Sequence, residues 1–246
     1  MLGIIDWGVG GVSIYKRVNE RFPDATILYF SDTGATPYGK MARRELADRL
    51  DAVIKFLKSK GMTRLVIGCN AASTAIPDLA DHGIKIGGVI EPAVAAVARL
   101  KAKDLGVIGG RRTIVSGVYR KAFAIRGIAI KQRIAQPLSA LIESGDISSE
   151  TMRAEAKLIL APLKNCSHIL LACTHYPAIE QLLKDYVSPK TKFIDPSAAV
   201  VRALGLIPSI KGSEDRFFTS GESRKMKRSA NLAFGVEIKT VEKIKI

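Results

Sequence analysis

Short apolar runs alternate along the chain with longer amphipathic stretches, and this alternation constrains the fold more than any other feature. The apolar runs predict strands at Leu2–Ile5, Ile27–Phe30, Leu65–Ile67, Gly87–Ile90, Leu105–Ile108, Ile128–Ile134, Ile169–Leu171 and Phe193–Ile194. The amphipathic stretches predict helices at Val12–Arg21, Arg43–Lys60, Pro92–Leu100, Thr113–Ala124, Glu150–Leu163 and Ala178–Tyr186. Such alternation is typical of βαβ units, whose strands are buried on both faces. We therefore predict an α/β protein with mostly parallel sheets.

The second half of the chain resembles the first. The run Leu2-Gly-Ile-Ile-Asp6 is similar to Leu105-Gly-Val-Ile-Gly109, and Leu65-Val-Ile-Gly-Cys69-Asn70 is similar to Ile169-Leu-Leu-Ala-Cys173-Thr174. In both cases the second copy follows the first by nearly the same number of residues. The repeat predicts two similar α/β domains related by a pseudo-twofold axis, with the site in the cleft between them.

Two of the three cysteines occupy equivalent places in this repeat. Cys69 and Cys173 each follow the end of a predicted strand, where open parallel sheets bind their ligands. One cysteine at such a place could be a small buried hydrophobe. Two at matching places favour reactive thiols that reach a bound molecule from opposite sides, which is the geometry that racemisation at a carbon requires. A helix beginning after each cysteine would favour the thiolate; Cys166 has no such setting.

Two further residues are candidates for proton transfer. His175 follows Cys173 by two positions, so both side chains would share one side of an extended segment. Asp6 ends the first predicted strand before the turn Gly8-Val9-Gly10-Gly11, although a turn or helix-capping role is an equal alternative. The glycine run does not fit a dinucleotide fingerprint, but it permits close backbone approach to a ligand.

Taken together, the motifs resemble those of bacterial glutamate racemases, within the aspartate/glutamate racemase superfamily. The motifs lie in the expected order along essentially the whole chain: Asp6-Trp7-Gly8-Val9-Gly10-Gly11, Ser31-Asp32-Thr33, Pro37-Tyr38-Gly39, Cys69-Asn70-Ala71-Ala72-Ser73 and Cys173-Thr174-His175-Tyr176-Pro177. The resemblance implies a cofactor-independent isomerase, with no pyridoxal phosphate and no metal, that supplies D-glutamate for peptidoglycan. It also implies a homodimer and two domains, residues 1–93 plus 205–246 and residues 94–204.

The resemblance also implies roles for individual residues. Cys69 and Cys173 would be the paired acid and base, assisted by Asp6 and His175 respectively. The substrate-binding residues would be Trp7, Pro37, Tyr38, Gly39, Asn70, Ala71, Thr113, Glu143 and Thr174. Tyr38 and Gly39 would use backbone N–H groups, whereas Asn70, Thr113 and Thr174 would bond the carboxylate and amine of the amino acid. Two alternatives remain: Glu143 as a solvated carboxylate at a helix end, and Tyr38 as an ordinary packed aromatic.

Three residues depart from the family pattern, and each replaces a hydroxyl near the expected substrate. Trp7 stands in place of serine, whereas Ala71 and Gly110 stand in place of threonines. The indole N–H of Trp7 and the backbone of the glycine turn are possible replacement donors. Because Trp7 also narrows the pocket, the sequence predicts weak glutamate racemisation or a preference for a shorter amino acid such as aspartate. A non-catalytic amino-acid-binding protein on the same scaffold is the alternative from another class.

Charge and composition bear on partners and location. The formal net charge is +15, which would suit nucleic acid, but no nucleic-acid-binding motif is present and a solvated basic surface is the favoured interpretation. The sparse, odd cysteine count argues against a disulfide framework. With no apolar run of membrane-spanning length and no signal-peptide pattern at the start, we expect a soluble cytoplasmic enzyme.

Overall fold

The computed structural model describes residues 1–100, 102, 104–205, 207 and 214–246. The strands are β1 (Leu2–Asp6), β2 (Ile27–Ser31), β3 (Arg64–Ile67), β4 (Lys85–Gly88), β5 (Leu105–Gly109), β6 (Ile130–Ile134), β7 (His168–Ala172), β8 (Lys192–Ile194), β9 (Arg216–Thr219) and β10 (Glu242–Lys243). The helices are α1 (Val12–Arg21), α2 (Arg43–Ser59), α3 (Asn70–Ser73), α4 (Ile90–Arg99), α5 (Arg111–Val115), α6 (Val118–Ala124), α7 (Gln136–Ser144), α8 (Glu150–Leu160), α9 (Glu180–Lys184), α10 (Ser197–Leu204) and α11 (Ser223–Phe234). The α/β class predicted from the alternation of runs is confirmed.

The strands of the described residues form two sheets with a common topology. The first sheet has the order β10-β9-β2-β1-β3-β4 and the second has the order β6-β5-β7-β8. In each sheet the first strand of its half pairs with the second and the third, and every pairing is parallel. The shared order agrees with the repeat in the sequence, whereas the domain limits at residues 93/94 and 204/205 remain a prediction.

Burial of the central strands on both faces explains their continuous apolar runs. In β1, Leu2 and Ile4 face one apolar cluster while Ile5 faces the cluster on the opposite side of the sheet. In β7, Leu170 and Leu171 divide in the same way between the two clusters of the second sheet. Because side chains alternate between two buried faces, the interior positions of these strands are apolar, and polar residues stand only at their ends, Asp6 in β1 and His168 in β7.

The structure corrects two predicted elements. The strand predicted at Gly87–Ile90 lies earlier, at Lys85–Gly88, because Ile90 already begins α4. The single helix predicted at Thr113–Ala124 is two helices, α5 and α6. Gly117 separates them with a φ of 69°, a left-handed conformation that interrupts an α helix and suits glycine.

The C-terminal part of the chain links the two halves. Strands β9 and β10 extend the first sheet, α10 packs against α1 and α4, and α11 packs against α7 of the second half. Among the described residues, no helix combines the length and the hydropathy needed to span a membrane.

Candidate active site

Both cysteines of the repeat lie just past the carboxyl ends of central strands. Cys69 follows β3 and is the N-cap residue of α3, whereas Cys173 directly follows β7. Both thiols are free and half-buried. Cys166, to which the sequence gives no role, is buried in the core of the second sheet.

Burial raises the pKa of the Cys69 thiol well above its ordinary value. The nearby charges of Asp6 and Cys173 raise this pKa further, so the two thiols lie within electrostatic reach of each other. Backbone N–H groups of Ala71 and Ala72 lower this pKa, but their effect is smaller than that of burial. The start of α3 thus favours the thiolate of Cys69, as expected from the sequence, but burial outweighs it.

His175 connects Cys173 to a buried carboxylate. Its Nδ1 lies 3.7 Å from the Cys173 sulfur, and its Nε2 lies 2.7 Å from Oε2 of Glu143. Burial by itself lowers the pKa of His175, but the bonds to Cys173 and Glu143 outweigh it and hold this pKa well above its ordinary value. The segment is helical at His175 rather than extended, so a tight turn, and not alternation along a strand, brings the two side chains together.

Glu143 is a buried ionisable residue at the end of α7, not a solvated one. Only 5% of the residue is exposed, and its Oε2 accepts a 2.9 Å hydrogen bond from the N–H of Val9 as well as contacting His175. Val9 lies in the turn between β1 and α1, so the Glu143 carboxylate joins this turn of the first half to the histidine of the second.

Asp6 reaches across to the second half in a similar way. Its Oδ2 accepts hydrogen bonds from the N–H of Gly11 and, at 3.2 Å, from the hydroxyl of Thr174. Its Oδ1 is buried and has no hydrogen-bond partner in the part of the chain that the structure describes. Burial raises the pKa of Asp6 and outweighs the nearby charge of His175, which lowers this pKa, while the charge of Glu143 raises it.

The glycines between β1 and α1 make room for these side chains. A Cβ at Gly8 would lie 2.0 Å from Oε2 of Glu143, and one at Gly10 would lie 2.6 Å from both Nδ1 of His175 and Oγ1 of Thr174. The close approach that the sequence predicts for a ligand is thus made by protein side chains from the second half. A side chain at either glycine would displace these groups.

Asn70 and Thr113 each present a buried polar atom without a partner. The phenol of Tyr119 donates a 2.7 Å hydrogen bond to Oδ1 of Asn70, and the amide Nδ2 has no partner among the described residues. The hydroxyl of Thr113, in α5, is also unpaired there. Oδ1 of Asp6 is likewise unsatisfied, as are the hydroxyl of Ser31 and the amide Nε2 of Gln132 among the described residues.

The loop that carries Pro37, Tyr38 and Gly39 is fixed through the tyrosine side chain. The phenol of Tyr38 donates a 2.8 Å hydrogen bond to Asp32, which also pairs with Arg49 at 2.6 Å. Tyr38 is 1% exposed, so its ring packs in the core.

Trp7 and Ala71 pack against the same apolar cluster as Cys69. The indole N–H of Trp7 donates a 3.1 Å hydrogen bond to the carbonyl of Ala35, so it is not free to replace a lost hydroxyl. Trp7, Ala35, Cys69 and Ala71 are partly buried and pack against the same cluster of the first sheet.

Three residues that support the site were not assigned a role from the sequence: Asp32, Arg112 and Tyr119. Asp32 follows β2 directly, and that strand-end position was a usable signal. Arg112 and Tyr119 lie in helices, and their partners belong to the other half of the chain. No local pattern could have identified them.

Comparisons with known proteins agree with this geometry. The model of the Asp/Glu/Hydantoin racemase family matches residues 2–204. A glutamate racemase of Gloeobacter violaceus is 30% identical over 241 residues, covering 94% of this chain and 91% of the relative. One from Aquifex aeolicus is 31% identical over 243 residues, covering 96% and 95%. The crystal structure of glutamate racemase from Francisella tularensis in complex with D-glutamate superposes with a TM-score of 0.88 at 26% identity, over 99% of this chain and 97% of that one. These matches favour an enzyme over a non-catalytic binding protein. The chain belongs to the Asp/Glu/Hydantoin racemase family.

Proposed function

We propose that this protein interconverts L- and D-glutamate through the thiols of Cys69 and Cys173. The observation that carries the proposal is that three of the buried polar atoms without a partner among the described residues belong to predicted site residues: Oδ1 of Asp6, Nδ2 of Asn70 and Oγ1 of Thr113. Buried polar groups without partners are costly, so a ligand that satisfies them would be bound tightly. An ammonium group would suit Asp6, and carboxylate oxygens would suit the amide and hydroxyl donors.

In the proposed mechanism one thiolate removes the α-proton and the opposite thiol supplies a new one. The Cα–H bond breaks as an S–H bond forms on one side; the S–H bond on the other side then breaks as the new Cα–H bond forms, so no net proton is consumed. Burial and the charge of Asp6 keep Cys69 protonated, so its thiol is suited to act as the proton donor in the resting enzyme. The protonated imidazole of His175 would stabilise negative charge on the Cys173 sulfur, which suits the base.

The decisive experiment combines solvent exchange with cysteine variants. In deuterated water, the inverted glutamate should carry deuterium at the α-carbon. Cys69→Ala and Cys173→Ala should each lower racemisation in both directions by at least about 10²–10⁴-fold, the usual contribution of a proton-transfer group. Cys166→Ala is the matched control, since that thiol lies in the core of the second sheet, and it should retain activity. Inversion without deuterium uptake, or full activity in either site variant, would refute the two-thiol scheme.

Aspartate is the second candidate substrate. The observation that favours it is that Trp7, Ala35 and Ala71 pack against the same apolar cluster as Cys69, and that the indole donor of Trp7 is already bound to the carbonyl of Ala35. Each missing hydrogen bond to a charged group would cost roughly 1.5–3 kcal/mol if nothing replaces it. Trp7→Ser, alone and with Ala71→Thr, should therefore raise the ratio of glutamate to aspartate activity. An unchanged ratio would mean that these two residues do not set specificity.

We further propose a cytoplasmic homodimer whose role is the supply of D-glutamate for peptidoglycan. The support is the full-length similarity to glutamate racemases of several bacteria. The proposed domains comprise residues 1–93 plus 205–246 and residues 94–204, which assigns each sheet to one domain. Nucleic acid has no part in the proposed reaction. Sedimentation equilibrium of the purified chain tests the dimer, and a monomer at micromolar concentration would exclude it.

A further inference from the structure

The guanidinium of Arg112 crosses from the second half to the backbone of the loop that carries Tyr38 and Gly39. Its Nε donates a 2.9 Å hydrogen bond to the carbonyl of Tyr38, and its Nη2 donates to the carbonyl of Met41. Arg112 is half-buried, and it forms no salt bridge with another described residue. The side chain of this half-buried arginine thus donates to carbonyl groups of one backbone segment.

The carbonyl of Tyr38 belongs to the same peptide unit as the N–H of Gly39. That unit is trans, so its carbonyl and its N–H point in opposite directions. With the carbonyl bound to Arg112, the N–H of Gly39 points away from the guanidinium. Neither this N–H nor that of Tyr38 donates to another residue in the described ranges.

A cation bound to the carbonyl also affects the N–H. Hydrogen bonds in a chain polarise one another, so a charged donor on the carbonyl makes the N–H of the same amide a stronger donor. The unit is the central peptide of the turn that the Lys40 N–H closes on the Pro37 carbonyl at 2.7 Å. Without the Arg112 bond it could flip within that turn, because glycine at the third position permits either orientation. Arg112 therefore both orients and strengthens a donor that has no partner among the described residues.

We propose that Arg112 is a positioning residue that fixes the Tyr38–Gly39 peptide unit, so that the Gly39 N–H binds a carboxylate of the substrate. The assignment rests on the proposed function, since it takes Gly39 as a substrate-binding residue. It adds a requirement of this chain: the substrate loop of the first half is complete only when the second half supplies Arg112.

The test compares Arg112→Ala, Arg112→Gln and Arg112→Lys with Arg111→Ala. Arg111 is the exposed neighbour of Arg112 in the same helix, and its side chain forms no hydrogen bond with another described residue, so it is the matched control. Arg112→Ala should raise the KM for glutamate about tenfold or more, as expected for one lost bond to a charged group, with a smaller change in kcat. Arg112→Lys should recover part of the loss because an ammonium still reaches one carbonyl, and Arg111→Ala should leave KM unchanged.

A second measurement does not depend on turnover. Trp7 is the only tryptophan of the chain, and its indole is bound to Ala35 at the start of the same loop. Arg112→Ala should increase quenching of Trp7 fluorescence by acrylamide, and glutamate should restore protection only at higher concentration than in the parent protein. An unchanged KM and unchanged quenching in Arg112→Ala, or equal effects in Arg111→Ala, would overturn the proposal. Absence of racemisation by the parent protein itself would instead refute the proposed function.

Discussion

At the scale of single residues, the site depends on hydrogen bonds that orient its polar side chains. Tyr119 is fully buried, and burial raises its pKa far above the physiological range, so it remains a phenol that donates to Oδ1 of Asn70. This bond fixes which end of the amide is free. The unsatisfied Nδ2 of Asn70 is then a donor suited to a carboxylate.

Tyr119→Phe should therefore weaken substrate binding without disturbing the fold. Loss of one neutral hydrogen bond predicts a rise in KM of about three- to tenfold and a loss of about 1 kcal/mol in the free energy of unfolding. Steady-state kinetics and urea denaturation measure the two effects. Tyr15→Phe is the control, since it removes a 2.8 Å phenol bond to Asp215 that none of the site residues shares, and KM should not change.

The His175–Glu143 pair should govern the pH dependence. Because the folded-state pKa of His175 is raised, its contribution to stability is complete below the unfolded pKa of about 6.5 and is lost as pH rises through the folded value. Glu143→Gln keeps an oxygen to accept the Val9 N–H but removes the charge beside Nε2. The alkaline limb of the kcat/KM profile should shift to lower pH, and stability should begin to fall at lower pH. Superimposable profiles would show that His175 does not titrate in this range.

At the scale of elements, the turn between β1 and α1 shapes the site because its glycines have no side chains. A Cβ at Gly8 would overlap the carboxylate of Glu143, which must then move away from His175 and Val9. The absence of a side chain at Gly8 thus leaves room for the hydrogen bonds of Glu143 to Val9 and His175.

Gly8→Ala should therefore lower both activity and stability. Overpacking of this kind typically costs about 1–3 kcal/mol, and displacement of Glu143 should lower kcat as well. Gly87→Ala is the control because a Cβ there has no neighbour closer than 4.0 Å. Thermal unfolding and kinetics of both variants decide the matter, and wild-type activity in Gly8→Ala would show that the contact is unimportant.

At the scale of the whole molecule, the site exists only where the two halves meet. Oδ1 of Asp6 and Nδ2 of Asn70 come from the first half, whereas the hydroxyl of Thr113 comes from the second. The C-terminal helix α11 supports the same junction, because Ser229 donates a buried 2.8 Å hydrogen bond to the carbonyl of Glu143. A ligand that satisfies these atoms would stabilise the arrangement of both halves at once.

Glutamate should therefore stabilise the folded protein. At a concentration one hundred times Kd, the free energy of unfolding should rise by about 2.7 kcal/mol, which a thermal shift assay detects. Asn70→Ala should reduce the shift at the same concentration. L-Lysine, which has no second carboxylate, is the control ligand and should produce little shift; an equal shift with lysine would contradict recognition of a dicarboxylate.

The sequence alone determined the α/β class, the repeat and the positions of Cys69 and Cys173 past the strand ends. These features follow from the local hydrophobic periodicity and from residues that come just after a strand. Residues close together in the sequence are therefore enough to predict them. It misplaced β4 and missed the break at Gly117, since short apolar runs and single backbone angles depend on what packs around them.

Only the tertiary structure decided how the site is assembled. The contacts of Glu143 with Val9, of Arg112 with Tyr38 and of Tyr119 with Asn70 join residues far apart in the chain. The direction of the Trp7 indole toward Ala35, and the burial that keeps Cys69 protonated, were likewise set by packing. Such contacts depend on the relative position of two separately formed halves, and a linear pattern does not encode that position.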